Sequence, residues 1–104
     1  MIENRIICSE KENISFSLLF TADDKPECLP EGYKYYFRVK ADLDSQRLID
    51  AESQTESFDI DNPLEPGAYY FEIGMTNGER EIPICRPTDE RGKRINELLI
   101  LRRL

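Results

Sequence analysis

Asn77-Gly78 constrains this fold more than any other feature of the sequence. Both central residues of a type I′ turn need φ > 0, and Asn-Gly supplies that at the least steric cost. It lies inside residues 67–86, GAYYFEIGMTNGEREIPICR, which read as a β-hairpin. A two-residue turn there sets Thr76 against Glu79, Ile73 against Ile82 and Phe71 against Ile84. The period-2 rule then lines Tyr69, Phe71, Ile73 and Met75 along one face. Tyr70, Glu72, Gly74 and Thr76 line the other. Pro83 takes a donor out of the second strand, which predicts an edge position or a bulge.

The rest of the chain follows the same alternation. Residues 4–9 form a short β-prone run. In residues 13–21, Ile14, Phe16, Leu18 and Phe20 share a face, opposite Ser15, Ser17 and Thr21, with Leu19 the apolar exception. ADDKPECLPEG breaks regular structure. In residues 33–41, Tyr33, Tyr35, Phe37, Val39 and Ala41 point one way, and Lys34, Tyr36, Arg38 and Lys40 the other. RLIDA is a candidate edge strand. Phe58 and Ile60 are expected inward, and NPLEPG delivers the chain to the hairpin. RPTDERGKR reads as a mobile, charged connection. INELLILRRL fits helical spacing (Ile95, Leu98, Leu99, Arg102) or a strand buried on both faces; the strand is preferred because every other element is one. About seven short strands with turn signals between them predict an all-β antiparallel sandwich, a single domain over residues 1–104.

Composition narrows the function more by exclusion than by indication. A net charge of −7 is opposed to nucleic-acid or anionic-membrane binding, which needs clustered positive charge. The chain has no histidine, so the usual general base and the usual triad are missing. The three cysteines, Cys8, Cys28 and Cys85, have no CxxC spacing. No zinc site or cofactor is expected, and Cys8 and Cys85 read as structural thiols. Asp59, Asp61, Asn62 and Glu65 gather oxygens in one loop but lack the spacing of a Ca²⁺ loop, so a solvated turn is expected. No signal-peptide core or membrane-length apolar run occurs, which predicts synthesis in the cytoplasm. The expectation is a protein that is not an enzyme.

Four residues are candidates for contact. Tyr36 and Tyr70 lie on faces opposite the core and, with Leu19, would give a sheet an apolar patch. The alternative is that a loop or the last strand covers them. Leu99 and Leu101 belong to an apolar tail suited to pairing with a neighbour, in trans or within the chain.

One resemblance goes further. YYFRVKADLDSQRLIDA, then PLEPGAYYFEIGMTNGEREIPI, then LLILRRL resembles the layout of immunoglobulin-like domains in phage and prophage structural proteins, such as the N-terminal domains of baseplate upper proteins. The matching positions are Phe37, Val39 and Lys40, then Leu64, Pro66, Gly67, Tyr69, Phe71 and Ile73, then Gly78 and Ile82. Asp23-Asp24-Lys25-Pro26 stands where that family carries a glycine turn. The resemblance implies an immunoglobulin-like sandwich acting by assembly with itself or with other virion subunits, as a homo-oligomer, in a tail or baseplate. It carries no catalytic residue. The competing expectation is a module that binds carbohydrate or peptide through exposed tyrosines.

Overall fold

The computed structural model describes residues 2–18 and 31–103. They form eight strands: β1 (Asn4–Ser9), β2 (Ile14–Ser17), β3 (Lys34–Lys40), β4 (Ile49–Ser53), β5 (Ser57–Ile60), β6 (Gly67–Thr76), β7 (Glu81–Cys85) and β8 (Asn96–Leu101). The described residues hold no helix, so none is long and apolar enough to cross a membrane. Phe20, Leu19, Thr21 and the loop with Cys28 and Asp23–Pro26 lie outside the described residues.

The strands make two sheets. The large sheet runs β1-β8-β6-β3-β4, with β7 also paired to β6, and the small sheet is β2-β5. Strand β6, at ten residues, is the spine. One edge pairs with β3 from Tyr70 to Thr76. The other edge is shared, with β8 taking Gly67–Tyr70 and β7 taking Ile73–Thr76.

Alternation placed the core well. Tyr35, Phe37, Val39, Phe71, Ile73 and Met75 turn inward from the large sheet and meet Ile14 and Phe58 of the small one. Phe37 is the junction. It stands edge-on to Phe16, 4.8 Å between centroids, and packs on Phe58 and Phe71 at 5.9 and 5.7 Å. Phe16 stacks on its cross-strand partner Phe58 at 5.2 Å. Such pairs add about 0.5–1.5 kcal/mol each beyond the area they bury. Residues 95–104 contribute a strand, with Leu98 and Ile100 buried in the core.

Three expectations need correction. The sheets are not wholly antiparallel, because β1 runs parallel to β8, Ile7 opposite Leu99. These two strands are far apart in sequence, so no hairpin fixes their relative direction.

The hairpin register is off by two residues, with Thr76 opposite Glu81 and Met75 opposite Ile82. The loop holds four residues, not two. Asn77 Oδ1 accepts from the Glu79 and Arg80 amides, at 2.9 and 2.7 Å, and Thr76 Oγ1 accepts from the Gly78 amide. Asn77 thus organises the turn through its side chain, and Gly78 alone takes the left-handed conformation, φ +95°. A two-residue shift keeps each side chain on its face, so the alternation could not detect it.

Beyond Pro83 the register shifts again, at a bulge between Ile73 and Gly74. The bulge puts Cys85 opposite Ile73 and against the core, and leaves Ile84, expected inward, exposed. Pro83 thus sits on a strand that, among the described residues, is paired on one side only, and next to a bulge, the two places that tolerate a missing donor.

The 86–95 connection is a folded excursion. Thr88 bridges Arg94, and Asp89 Oδ1 accepts from the Arg91 and Lys93 amides at 2.8 and 2.9 Å. Those two amides hold the Asp89 carboxyl below its usual range.

Candidate interaction face

The outer face of the large sheet, turned away from the core, carries the candidate residues. Register arranges them in rows. Ile7, Leu99 and Ala68 form one row across β1, β8 and β6, with Leu101 beyond it. Arg5, Glu97, Tyr70 and Lys40 form the next. Glu72, Arg38 and Asp50 follow, then Pro83, Gly74, Tyr36 and Glu52.

Tyr36 is only 2 % exposed. Its ring lies under the Arg38 guanidinium, 3.9 Å from Cζ to centroid, and its phenol end crosses the backbone at Gly74. A Cβ at Gly74 would overlap Tyr36 Cζ and the hydroxyl, and would come within 2.6 Å of the Ile82 carbonyl. Glycine is required here for close approach, the usual meaning of glycine inside a strand. Burial, with Glu72 adding, pushes the Tyr36 hydroxyl up. An exposed platform of two tyrosines is therefore absent.

Arg38 is the residue that pattern reading missed. It lies on the outer face, yet its side chain is 7 % exposed and ringed by carboxylates. Its Nη2 donates to Glu81 Oε2 at 2.6 Å and its Nε to Asp50 Oδ1 at 3.4 Å, while Glu72 stands 3.9 Å away. Arg47 joins the far oxygen of Asp50 at 3.0 Å. The hydrogen bond to Glu81 is the main reason Arg38 is held charged well above its ordinary value, against the opposing effect of burial. The same bond holds the Glu81 carboxyl below its usual range. The signal available in sequence was Gly74 facing away from the core, in the strand expected to be best packed.

Tyr70 is half-buried, with the Arg94 guanidinium 4.1 Å over its ring. Glu97 ties Arg94 (3.3 Å) to Arg5 (2.8 Å), bridging two cations. Beyond this row the polar cover stops. Ile7 is 59 % exposed and Leu101 45 %, with Leu99 half-buried between them. Leu99 and Leu101 thus do lie on one surface, together with Ile7, and Tyr36 is not part of it. The signal for Ile7 was its parity in NRIICS, where Ile6 and Cys8 turn inward.

No chemistry gathers elsewhere among the described residues. No group of three or more His, Cys, Asp or Glu could hold a metal ion. Asn62 acts structurally, donating to the Ser9 carbonyl at 3.2 Å and accepting from the Leu64 amide at 3.0 Å. Cys8 and Cys85 are free thiols whose pKa burial pushes up, the direction opposite to that of a reactive thiolate. Compared with known families, curated proteins and solved structures, the chain matches no family model, no curated sequence and no solved structure.

Proposed function

We propose that this chain is a non-enzymatic assembly module of immunoglobulin-like architecture, joining to neighbouring subunits through the β1–β8 end of its large sheet. The observation that carries the function is the Ile7–Leu99–Leu101 surface. Three aliphatic side chains adjoin there, next to a strand that pairs on one side only among the described residues. Contiguous apolar surface beside an open edge marks a protein contact.

Two features support the immunoglobulin-like reading. The order β8-β6-β3-β4, opposed by β2-β5, follows the G-F-C-C′ and B-E arrangement of variable-type domains. The Tyr69 hydroxyl donates to the Glu65 carbonyl at 2.6 Å, just before and within the start of β6, as a tyrosine corner does. In a virion, the setting implied by the resemblance, such a module would join tail or baseplate subunits.

The test is mass by sedimentation equilibrium across a concentration series. Wild type should exceed the 12.2 kDa of one chain, and Leu99→Lys should return to it with an unchanged circular-dichroism spectrum. A wild-type monomer at every concentration would count against self-assembly.

A further inference from the structure

We propose that the partner is a second copy of this chain, bound through β1 in antiparallel pairing with Ile7 opposite Ile7 of the second copy. The two large sheets would then become one. This inference rests on the assembly reading and adds the partner and the register.

Backbone geometry limits the choices. The Asn4 amide donates to the Ile95 carbonyl and the Glu10 amide to the Leu101 carbonyl. Even-numbered groups of β1 thus face β8, and alternation turns those of Arg5, Ile7 and Ser9 out of the sheet. The Ser9 carbonyl already accepts from the Glu12 amide and from Asn62. Among the described residues, the open edge is therefore Arg5, Ile7 and the Ser9 amide, centred on Ile7.

A two-fold pair must match odd residues with odd ones, so registers step by two. Arg5 opposite Arg5 sets like charges together, and Ile7 opposite Ser9 turns the Ile7 amides toward Ser9 carbonyls that are already occupied. Arg5 opposite Ile7 satisfies the backbone but sets a cation against the aliphatic surface and breaks it. With Ile7 opposite Ile7, the two Ile7 amides and the two Ser9 amides find carbonyls. The Ile7–Leu99 row then continues into that of the second copy. Charge and apolar pattern select the same register. The contact is isologous, so it closes at two copies.

Two variants test it. Ile7→Pro removes a donor that the chain's own sheet does not use, so the fold should persist, checked by circular dichroism. The dimer dissociation constant should rise on the order of a hundredfold, about tenfold for each of two symmetry-related bonds. Ile7→Cys should form a disulfide-linked dimer under mild oxidation, above the background of the wild-type cysteines. In the register with Arg5 opposite Ile7 the two positions are displaced by two residues along the strands, beyond disulfide reach. A dimer that survives Ile7→Pro and fails to cross-link at position 7, yet falls apart with Leu99→Lys, would overturn the β1 pairing and leave the assembly reading standing. A wild-type monomer at every concentration would overturn both.

Discussion

In the half of the outer face built on β3, β6 and β7, the buried cation Arg38 has carboxylates on three sides, and Tyr36 is sealed between Arg38 and the Gly74 backbone. In the half built on β1 and β8, the row beyond Glu97 is aliphatic, with Ile7 and Leu101 standing in solvent and Leu99 half-buried between them. The two halves share one sheet and one alternation, yet the first is closed within the chain and the second is open. Whether a surface is available to a partner depends on what its own neighbours have already satisfied, not on which face of a strand it occupies. Tyr36 has the side chain of a contact residue and the environment of a core residue. Ile7 is the reverse.

That difference predicts opposite responses to substitution. The largest effect on stability should come from Gly74→Ala, which forces a methyl into Tyr36 and the Ile82 carbonyl. Overpacking against backbone should cost about 3 kcal/mol in denaturant unfolding, with any association at native conditions unaltered. Arg38→Met removes the guanidinium from over Tyr36 and leaves Glu72 and Glu81 without their cation, while Asp50 keeps Arg47. Because those acids are partly exposed, the loss should be about 2 kcal/mol, again with the mass unchanged.

Glu81→Gln should act more weakly and through pH. The folded pKa of Glu81 lies below its unfolded value. Its contribution is therefore present in full above the unfolded pKa, near the ordinary carboxyl value of 4.5, and is lost as pH falls through the folded value. Wild type should lose stability on acidification in that window. The variant should lack this component, a difference under about 1 kcal/mol for so exposed a carboxyl. The smallest effect on stability belongs to the open half. Leu101→Lys should move the unfolding free energy by no more than about 0.5 kcal/mol while weakening association. If Leu101→Lys destabilises the monomer as Arg38→Met does, the distinction between the halves fails.

Much of the inner face was legible because alternation reports burial directly. Ile14, Phe37, Val39, Phe58, Phe71 and Ile73 are core residues for the reason their spacing gives. The hairpin register was not legible, since Asn77 can serve a turn with its backbone or with its carbonyl oxygen, and both outcomes keep the faces. The parallel β1–β8 pair joins strands with no local signal to link them. The Arg38 cluster was hidden because its acids come from β4, β6 and β7, brought together only by the sheet order. Leu99 and Leu101 were visible as an apolar excess in a strand, whereas Ile7 needed the register of β1 to bring it beside them.

The most direct test of the open edge is amide hydrogen exchange at low and high protein concentration. If copies pair through that edge, the Ile7 amide, outward-facing on β1, exchanges more slowly as concentration rises, while amides on β4, the opposite edge of the sheet, do not change. Exchange at Ile7 that is independent of concentration, or new protection on β4 in its place, would contradict it.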